Sequence, residues 1–360
     1  MAGKFKWKKF SDVNLNDDFF NSLKSDYPEF CNWFQKKANN NESALVYNDS
    51  IGVGAFLYLK PENEPINIVG GVLSAKKRLK IGTLKLSERI RSQRLGEGAL
   101  GVALWYWQQL NENDNIEEIY VTAFEKHTEL INLFNRFGFK CVGKNARGEC
   151  IFIKNKRSLD FSDPYKCFPY ISNSVAVAGV IPIEDHYHDG LFPYSELFGN
   201  SKDISEITAG NGITKVFIAT PSSILNYRIG MPVFIYRVFT GDGQKTYKSV
   251  ITSLCTISKI TTIKSNFIPQ KTLEEFFYLA GNKTVYPEDE LEDIYNKKKN
   301  IIAIELVYNS YFGKGHNITH HELHSNELFE TYPYCIAYNR NELEKILELG
   351  DKNVQNIIIN

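Results

Sequence analysis

The segment Gln93-Arg94-Leu95-Gly96-Glu97-Gly98 carries the residue types and spacing most suited to chemistry. Two glycines one residue apart let backbone N–H groups approach a bulky anion, and an apolar helical pattern follows from Gly98 to Leu110. The helix start adds its own N–H groups and the positive end of its dipole at the same point. Lys76, Lys77, Arg78, Lys80, Lys85, Arg89, Arg91 and Arg94 surround the loop, with Glu88 the main acidic interruption before Glu97. The chemistry implied is the holding of a phosphate-bearing ligand. Taken alone, the loop also reads as a plain strand-to-helix turn with a solvated basic flank. It is not G-x-x-x-x-G-K-[ST], which disfavours a nucleotide-hydrolysing loop. It is not G-x-G-x-x-G either, and no ribose-binding acid follows, which disfavours a dinucleotide fold.

Charge supports a local rather than a global anion site. The 360 residues carry 42 Lys+Arg against 42 Asp+Glu. Residues 1–160 hold 24 basic and 19 acidic residues, a net +5, which leaves residues 161–360 with 18 and 23, a net −5. A zero total argues against coating bulk nucleic acid or an anionic membrane, which needs many clustered cations. Hydrophobic residues at 43% and aromatic residues at 13% imply packed cores, and the length suits two domains. The basic N-terminus precedes no apolar run of signal-peptide type, and no run approaches the ~20 residues of a membrane helix. Cys31, Cys141, Cys150, Cys167, Cys255 and Cys335 are scattered without a C-x-x-C pair, so reduced thiols and a cytoplasmic location are expected.

The elements that must position the loop follow from periodicity. Residues 16–38 show apolar positions three and four apart, a helix interrupted near Pro28. Ala44–Tyr47 and Ile51–Leu59 read as a hairpin, Leu79–Leu86 and Ile116–Ala123 as strands, and Thr128–Phe137 as a helix. Lys140–Gly143 with Cys150–Lys154 completes a mixed α/β layer fold over residues 1–157. Residues 158–172 are weakly patterned and predict a linker. Beyond them, Lys215–Thr220, Pro232–Phe239, Lys248–Lys259 and Asn300–Tyr308 read as strands, with helices at Leu273–Leu279 and Asn341–Leu349. A small β-barrel with helical insertions is expected over residues 173–360.

In this context the stretch from Lys80 through the loop to Leu110 resembles the acyl-CoA-binding core of the GNAT superfamily of N-acyltransferases. That superfamily's motif is Q/R-x-x-G-x-G/A, and Gln93 to Gly98 matches each position. Ile119–Ala123 looks like the next core strand, and Leu133-Phe-Asn-Arg-Phe-Gly-Phe139 is similar to the helix that ends in a Gly-Phe pair. The resemblance spans roughly residues 12–155 and implies acetyl-CoA as acyl donor. By its pattern, Leu84, Lys85 and Leu86 would offer backbone hydrogen bonds to the pantetheine arm. Gln93, Arg94, Leu95, Gly96, Glu97, Gly98 and Ala99 would cradle the pyrophosphate, and a splayed strand pair would admit the thioester.

The sequence departs from the family where acid–base chemistry is concerned. Phe134 stands where a tyrosine often protonates the leaving thiolate, and it is kept here as a cofactor contact. Thr83, Lys85 and Thr122 occupy the strands that often supply a carboxylate base. Glu125 and His127, at a strand-to-helix junction, are the remaining catalytic candidates. His127 stands where many relatives carry a cofactor-contacting Asn, and Glu125 reads equally as a solvated acid at a helix start.

Other constellations are weaker. His316, His320 and His324 recur every four residues, but the stretch is not H-E-x-x-H and glycines flank it, so a polar surface segment rather than a metal site is expected. Ile181–Pro193 gathers two His, two Asp and a Glu, and reads as a structured linker or as the lining of a cleft. The later strands resemble PUA-like barrels of the ASCH and EVE kind, which implies contact with RNA or modified bases; Tyr236, Phe239 and Tyr247 would stack them or fill the core. Two functions follow. The first is N-acetyl transfer to an amine on RNA, aminoacyl-tRNA, protein or a small molecule, the second domain selecting the acceptor. The second is a noncatalytic RNA or modified-base reader on a degenerate acyl-CoA fold.

Overall fold

The computed structural model describes residues 5–113, 115–197 and 208–360. The chain divides into two compact units, Met1–Ser158 and Leu159–Asn360.

The first unit is a seven-stranded mixed sheet with helices. Its elements are β1 (Lys6–Lys9), α1 (Asn21–Asp26), α2 (Phe30–Asn39), β2 (Ser43–Asn48), β3 (Val53–Glu62), β4 (Ile66–Ile68), β5 (Gly71–Leu73), β6 (Arg78–Leu86), α3 (Leu95–Asn113), β7 (Glu118–Ala123), α4 (Thr128–Arg136), β8 (Lys140–Lys144) and β9 (Cys150–Asn155). The strand order is β1-β2-β3-β6-β7-β9-β8, with β4 and β5 forming a separate ribbon. Every rung is antiparallel except β6 against β7. Parallel neighbours need a crossover, and α3 supplies it. It buries Leu95, Ala99, Leu100, Ala103, Leu104 and Trp107, apolar positions on more than one face, as a central helix must. Trp107 Nε1 donates to the Ile116 carbonyl at 2.9 Å, tying the helix to the chain that enters β7. On the other side, Phe10, Phe20, Phe30, Phe34 and Phe56 build an aromatic cluster that seats α2. The segment read as one helix interrupted near Pro28 is two helices parted there.

The second unit continues with α5 (Pro164–Cys167), β10 (Ile171–Ser172), β11 (Ala178–Glu184), α6 (Asp185–Leu191), β12 (Thr214–Ala219), β13 (Pro232–Val238), α7 (Lys245–Lys248), β14 (Val250–Ser265), β15 (Ile268–Pro269), α8 (Leu273–Ala280), α9 (Glu288–Lys297), β16 (Ile301–Tyr311), β17 (Ile318–Thr319), α10 (His320–Ser325), β18 (Ala337–Tyr338), α11 (Arg340–Leu349) and β19 (Ile358–Ile359). The main sheet runs β12-β16-β14-β13-β11-β18, with β15 and β17 against the long β14. This corrects the expected barrel: among the described residues no ladder joins β12 to β18. The sheet's apolar surfaces are buried by helices instead. Leu343, Ile346 and Leu347 of α11 pack with Val180, Phe234 and Leu254, while Phe276 of α8 and Leu291 of α9 pack with Val216, Ile218 and Ile301.

The segment expected as a linker is folded into the second unit. Tyr165, Cys167, Phe168 and Tyr170 are buried, and Ile171 pairs in parallel with Ile358. Ile181–Pro193, likewise, is the end of β11 and the whole of α6, with Leu191 and Phe192 in the core. In residues 158–172, hydrophobic anchors spaced for burial outweigh the Ser, Asp and Pro that made the stretch look loose.

Candidate active site

The site grows from one rung count. β6 and β7 pair only through Arg78↔Glu118, Leu79↔Ile119, Lys80↔Tyr120 and Ile81↔Val121. β6 then runs on to Leu86 against β3, while β7 runs on to Ala123 against β9. Gly82 is the first residue past the last rung, and it is bulged against β3, where Tyr58↔Thr83 is followed by Leu59↔Ile81. A bulge bends its strand and ends pairing, which turns β6 away from β7. Gly82 also makes room for Tyr58, whose Cδ1 lies 2.7 Å from where a Cβ would stand. Past the rungs, the β7-side edge of Gly82–Leu86 has no ladder partner, so its backbone groups need hydrogen bonds from elsewhere. Leu84, Lys85 and Leu86 lie on that stretch and are half-buried.

From Leu86 the chain passes Ser87 and a 3₁₀ turn, Glu88–Gln93, then Arg94 in the left-handed region at φ 58°. α3 begins at Leu95, not near Gly98: Gly96 and Gly98 lie in its first turn, and Gly98 N–H donates to the Arg94 carbonyl at 3.1 Å. The motif is therefore a helix start aimed from the open end of β6. A Cβ at Gly96 would stand 3.6 Å from Leu86, ordinary contact, so the position tolerates one carbon but not a long side chain. The side chain of Arg94 is nearly buried and pairs with Glu97 at 2.8 Å, bracing the left-handed residue to the first turn it precedes.

The basic cluster is not one anion patch. Burial raises the Glu118 carboxyl, but Arg78 and Lys76 pair with it at 2.7 and 3.1 Å and bring it below its usual range. Arg89 grips both Asp49 oxygens at 2.9 Å, and this hydrogen-bonded pair takes the Asp49 carboxyl down to about 2. Arg91 pairs with Glu88. Lys85 turns to the helical layer, donating to the Phe19 carbonyl and Ser22 Oγ, and burial pushes its ammonium down. Opposite charges, most of them far apart in sequence, claim most of these cations.

The named catalytic candidates follow the end of β7, and Cys150 Sγ lies 3.8 Å from Glu125 Oε1. Glu125 is 67% exposed and paired with Lys144 at 2.9 Å, a bond that holds its carboxyl below the usual range. His127 holds the N-cap position of α4 without a side-chain capping bond and is exposed, its imidazole pushed down first by partial burial and then by Lys126. Phe134 is fully buried among Phe139 and Phe152, at 5.5 and 5.7 Å between ring centres, so it is core rather than a lining contact.

The structure supplies the carboxylate that the sequence reading missed. Glu149, 6% exposed, precedes β9 beside the free end of β7. It accepts from Tyr27 Oη at 2.8 Å, Asn145 Nδ2 at 2.7 Å and, at the limit of 3.5 Å, Thr122 Oγ1. All three donors are neutral, and they set a buried carboxyl group beside Thr122, the first β7 residue past the shared rungs. Burial, followed by the Glu149 hydrogen bond, drives the Tyr27 phenol far up, so it stays protonated and donates. Residues 17–30 thus reach both edges of the opening: Lys85 on the β6 tail, and Glu149 with Lys126, which pairs with Asp26 at 2.9 Å, on the β7 side. Only the 122-residue separation hid this pair. A tyrosine at a helix corner and a glutamate before a strand carry no local signature.

In the second unit the rings of His320 and His324 stack at 6.3 Å between centres, while His316 lies 3.5 Å from Asp351. α10 carries His320 and His324 behind a Thr319–Glu322 capping box, and no cluster of three metal-ligating side chains exists among the described residues. Tyr236 is core, its ring tilted against Phe329 at 4.7 Å between centres, while Phe239 is half-buried and Tyr247 exposed. No helix among the described residues is long and apolar enough to cross a membrane.

No family model matches the chain, and no curated protein matches it. Among solved structures, a mutant of the toxin AtaT bound to the C-terminus of the antitoxin AtaR aligns at 11% identity, covering 42% of this chain and 92% of that one, with a TM-score of 0.30. NAA60 of Arabidopsis thaliana in complex with a bisubstrate analogue aligns at 14%, over 41% and 96%, with a TM-score of 0.29. A mutant of the ZmASCH protein from Zymomonas mobilis aligns at 10%, over 50% and 99%, with a TM-score of 0.32.

Proposed function

We propose that the first unit is an acetyl-CoA-dependent N-acyltransferase. The single observation that supports this reading is the parting of β6 from β7 after four rungs, opposite a helix start preceded by Arg94. An unpaired strand edge at Leu84–Leu86 suits the amide groups of a pantetheine arm, and the first turn of α3, Leu95 to Ala99, suits a pyrophosphate. The thioester then lies in the wedge near Thr122. Its acceptor is an amine that arrives as a cation, drawn by Glu149.

In the reaction the ammonium proton passes to the Glu149 carboxylate, directly or through one water, and the freed amine attacks the thioester carbon. A C–N bond forms and the C–S bond breaks; of the two protons left on the amine, one passes through solvent to the leaving sulfur and one stays on the amide nitrogen, while Glu149 returns its proton to solvent. Holding amine and thioester together supplies much of the rate. Glu125, His127 and Phe134 take no part in this scheme. The second unit is assigned to acceptor selection.

Calorimetric titration with acetyl-CoA tests the reading. Binding abolished by Gly96→Glu, with release of free thiol in the presence of amines, is expected. Absence of acetyl-CoA binding overturns it, and binding that survives Gly96→Glu overturns the placement at the α3 start.

A further inference from the structure

The turn between β14 and β15 is built against the preference of its own backbone. Ser265 pairs with Ile268, so Asn266 and Phe267 form a two-residue hairpin loop, with φ of 49° and 66°. Such a loop, with both residues left-handed, favours Asn-Gly. Asn266 agrees with that rule. Phe267 does not, because a bulky side chain at positive φ meets a steric cost that glycine avoids.

Packing does not offset that cost. Phe267 is 60% exposed and Ile268 is 63% exposed, and Phe267 has no aromatic neighbour among the described residues. The backbone is held firmly nonetheless: Phe267 N–H donates to the Lys299 carbonyl at 2.8 Å, and Asn266 N–H to Asn300 Oδ1 at 2.9 Å. These bonds set the turn beside the run Lys297-Lys298-Lys299. Lys297 is paired with Asp293, and Lys271, across the hairpin, with Glu275. Lys298 and Lys299 are exposed and form no ion pair among the described residues. A solvated ring on a firmly held turn, with two cations outside any ion pair on the adjoining backbone, fits a partner that offers flat π-faces and phosphates at short spacing.

We propose that this hairpin tip is a contact for single-stranded nucleic acid, in which Phe267 stacks on a base and Lys298 and Lys299 meet phosphates. An acidic peptide would use the lysines but not the ring. A lipid surface would find only Phe267 and Ile268 to insert, and polar Asn266 shares the tip with Phe267. The site lies in the second unit and stands whether or not the first is an acyltransferase.

The test uses the full chain with a fluorescein-labelled oligoadenylate of about 12 nucleotides, read by anisotropy. Heparin serves as a polyanion without bases, and phosphatidylserine vesicles as the lipid arm. Phe267→Gly is expected to weaken oligoadenylate binding roughly tenfold, whereas Phe267→Tyr keeps it. Heparin affinity stays unchanged by Phe267→Gly. Lys298→Glu with Lys299→Glu lowers the slope of log affinity against log salt by about 1.4. Phe267→Gly is also expected to leave the thermal midpoint unchanged or raised by up to about 2 °C, since it removes strain and little packing. No oligoadenylate binding, equal binding by Phe267→Gly, vesicle binding in its place, or a midpoint lowered by several degrees in Phe267→Gly each overturns the proposal.

Discussion

The Tyr27 hydroxyl donates to Glu149 Oε1 at 2.8 Å across 122 residues of sequence, joining the corner between α1 and α2 to the start of β9. The bond holds a buried carboxyl group in place at the side of the wedge where β7 runs past β6. Glu149→Gln keeps the shape and the Asn145 contact but removes the charge. Turnover with an amine acceptor is expected to fall by at least roughly tenfold, within the usual contribution of a general base. Acetyl-CoA affinity, read by calorimetry, is expected to hold. Equal loss of both would show that Glu149 serves the fold alone.

Tyr27→Phe leaves Glu149 with one strong donor fewer. Removing a hydrogen bond to a charged, buried group is expected to cost about 1.5–3 kcal/mol in chemical denaturation. Tyr27→Phe combined with Glu149→Gln is expected to cost less than the two separate losses added together, because the pair is coupled. Simple additivity would argue against the bond.

Gly82→Ala should be among the most damaging single-carbon changes in the first unit. Its Cβ would stand 2.7 Å from Tyr58 Cδ1 and 3.2 Å from Cε1. Overpacking of this kind costs about 1–3 kcal/mol. Tyr58→Leu in the Gly82→Ala background is expected to recover part of that loss in thermal unfolding.

Phe134→Tyr places a hydroxyl among Phe139 and Phe152 in a fully buried site. Without a hydrogen-bond partner it is expected to cost about 1–3 kcal/mol and to leave turnover no higher than the wild type. Faster thiol release by this variant would show that the ring reaches the leaving sulfur.

The second unit is expected to weaken in acid. His188 is fully buried, its Nε2 2.8 Å from Thr252 Oγ1 and its Nδ1 2.9 Å from Asp189 Oδ1. Burial drives its imidazole below the usual range and outweighs the opposing pull of Asp189. Burial alone would raise Asp189, but His188 and the Arg237 fork at 2.7 and 2.9 Å bring it to about 2. Both folded-state values lie below their unfolded ones. Their contributions are therefore full above the unfolded values, and are lost as pH falls, through about 6.5 for His188 and then below about 3.9 for Asp189. Denaturant midpoints measured from pH 7.5 to 5 should fall, and His188→Gln should flatten that limb. A flat wild-type profile would contradict the burial argument.

The sequence by itself determined the periodic elements. The β6–α3–β7 series, the aromatic helices before it and the Gln93–Gly98 motif could be read because alternation, 3.6-residue spacing and glycine placement are local properties. It misplaced the start of α3 by one turn, since Leu95 and Gly96 carry no cap signal that separates them from the loop. It also read residues 158–172 as a linker where buried aromatics hold them in the second unit.

What only the tertiary structure decided was pairing. The point where β6 leaves β7, the commitment of Arg78 to Glu118 and Arg89 to Asp49, the replacement of barrel closure by helices, and the meeting of Tyr27 with Glu149 all join residues distant in sequence. A count of charges shows how many cations are present, not which anion each has found. That is why the net +5 of residues 1–160 suggested a broad anion patch, while the folded chain leaves a helix start, an open strand edge and, in Glu149, a buried carboxyl group held by neutral donors.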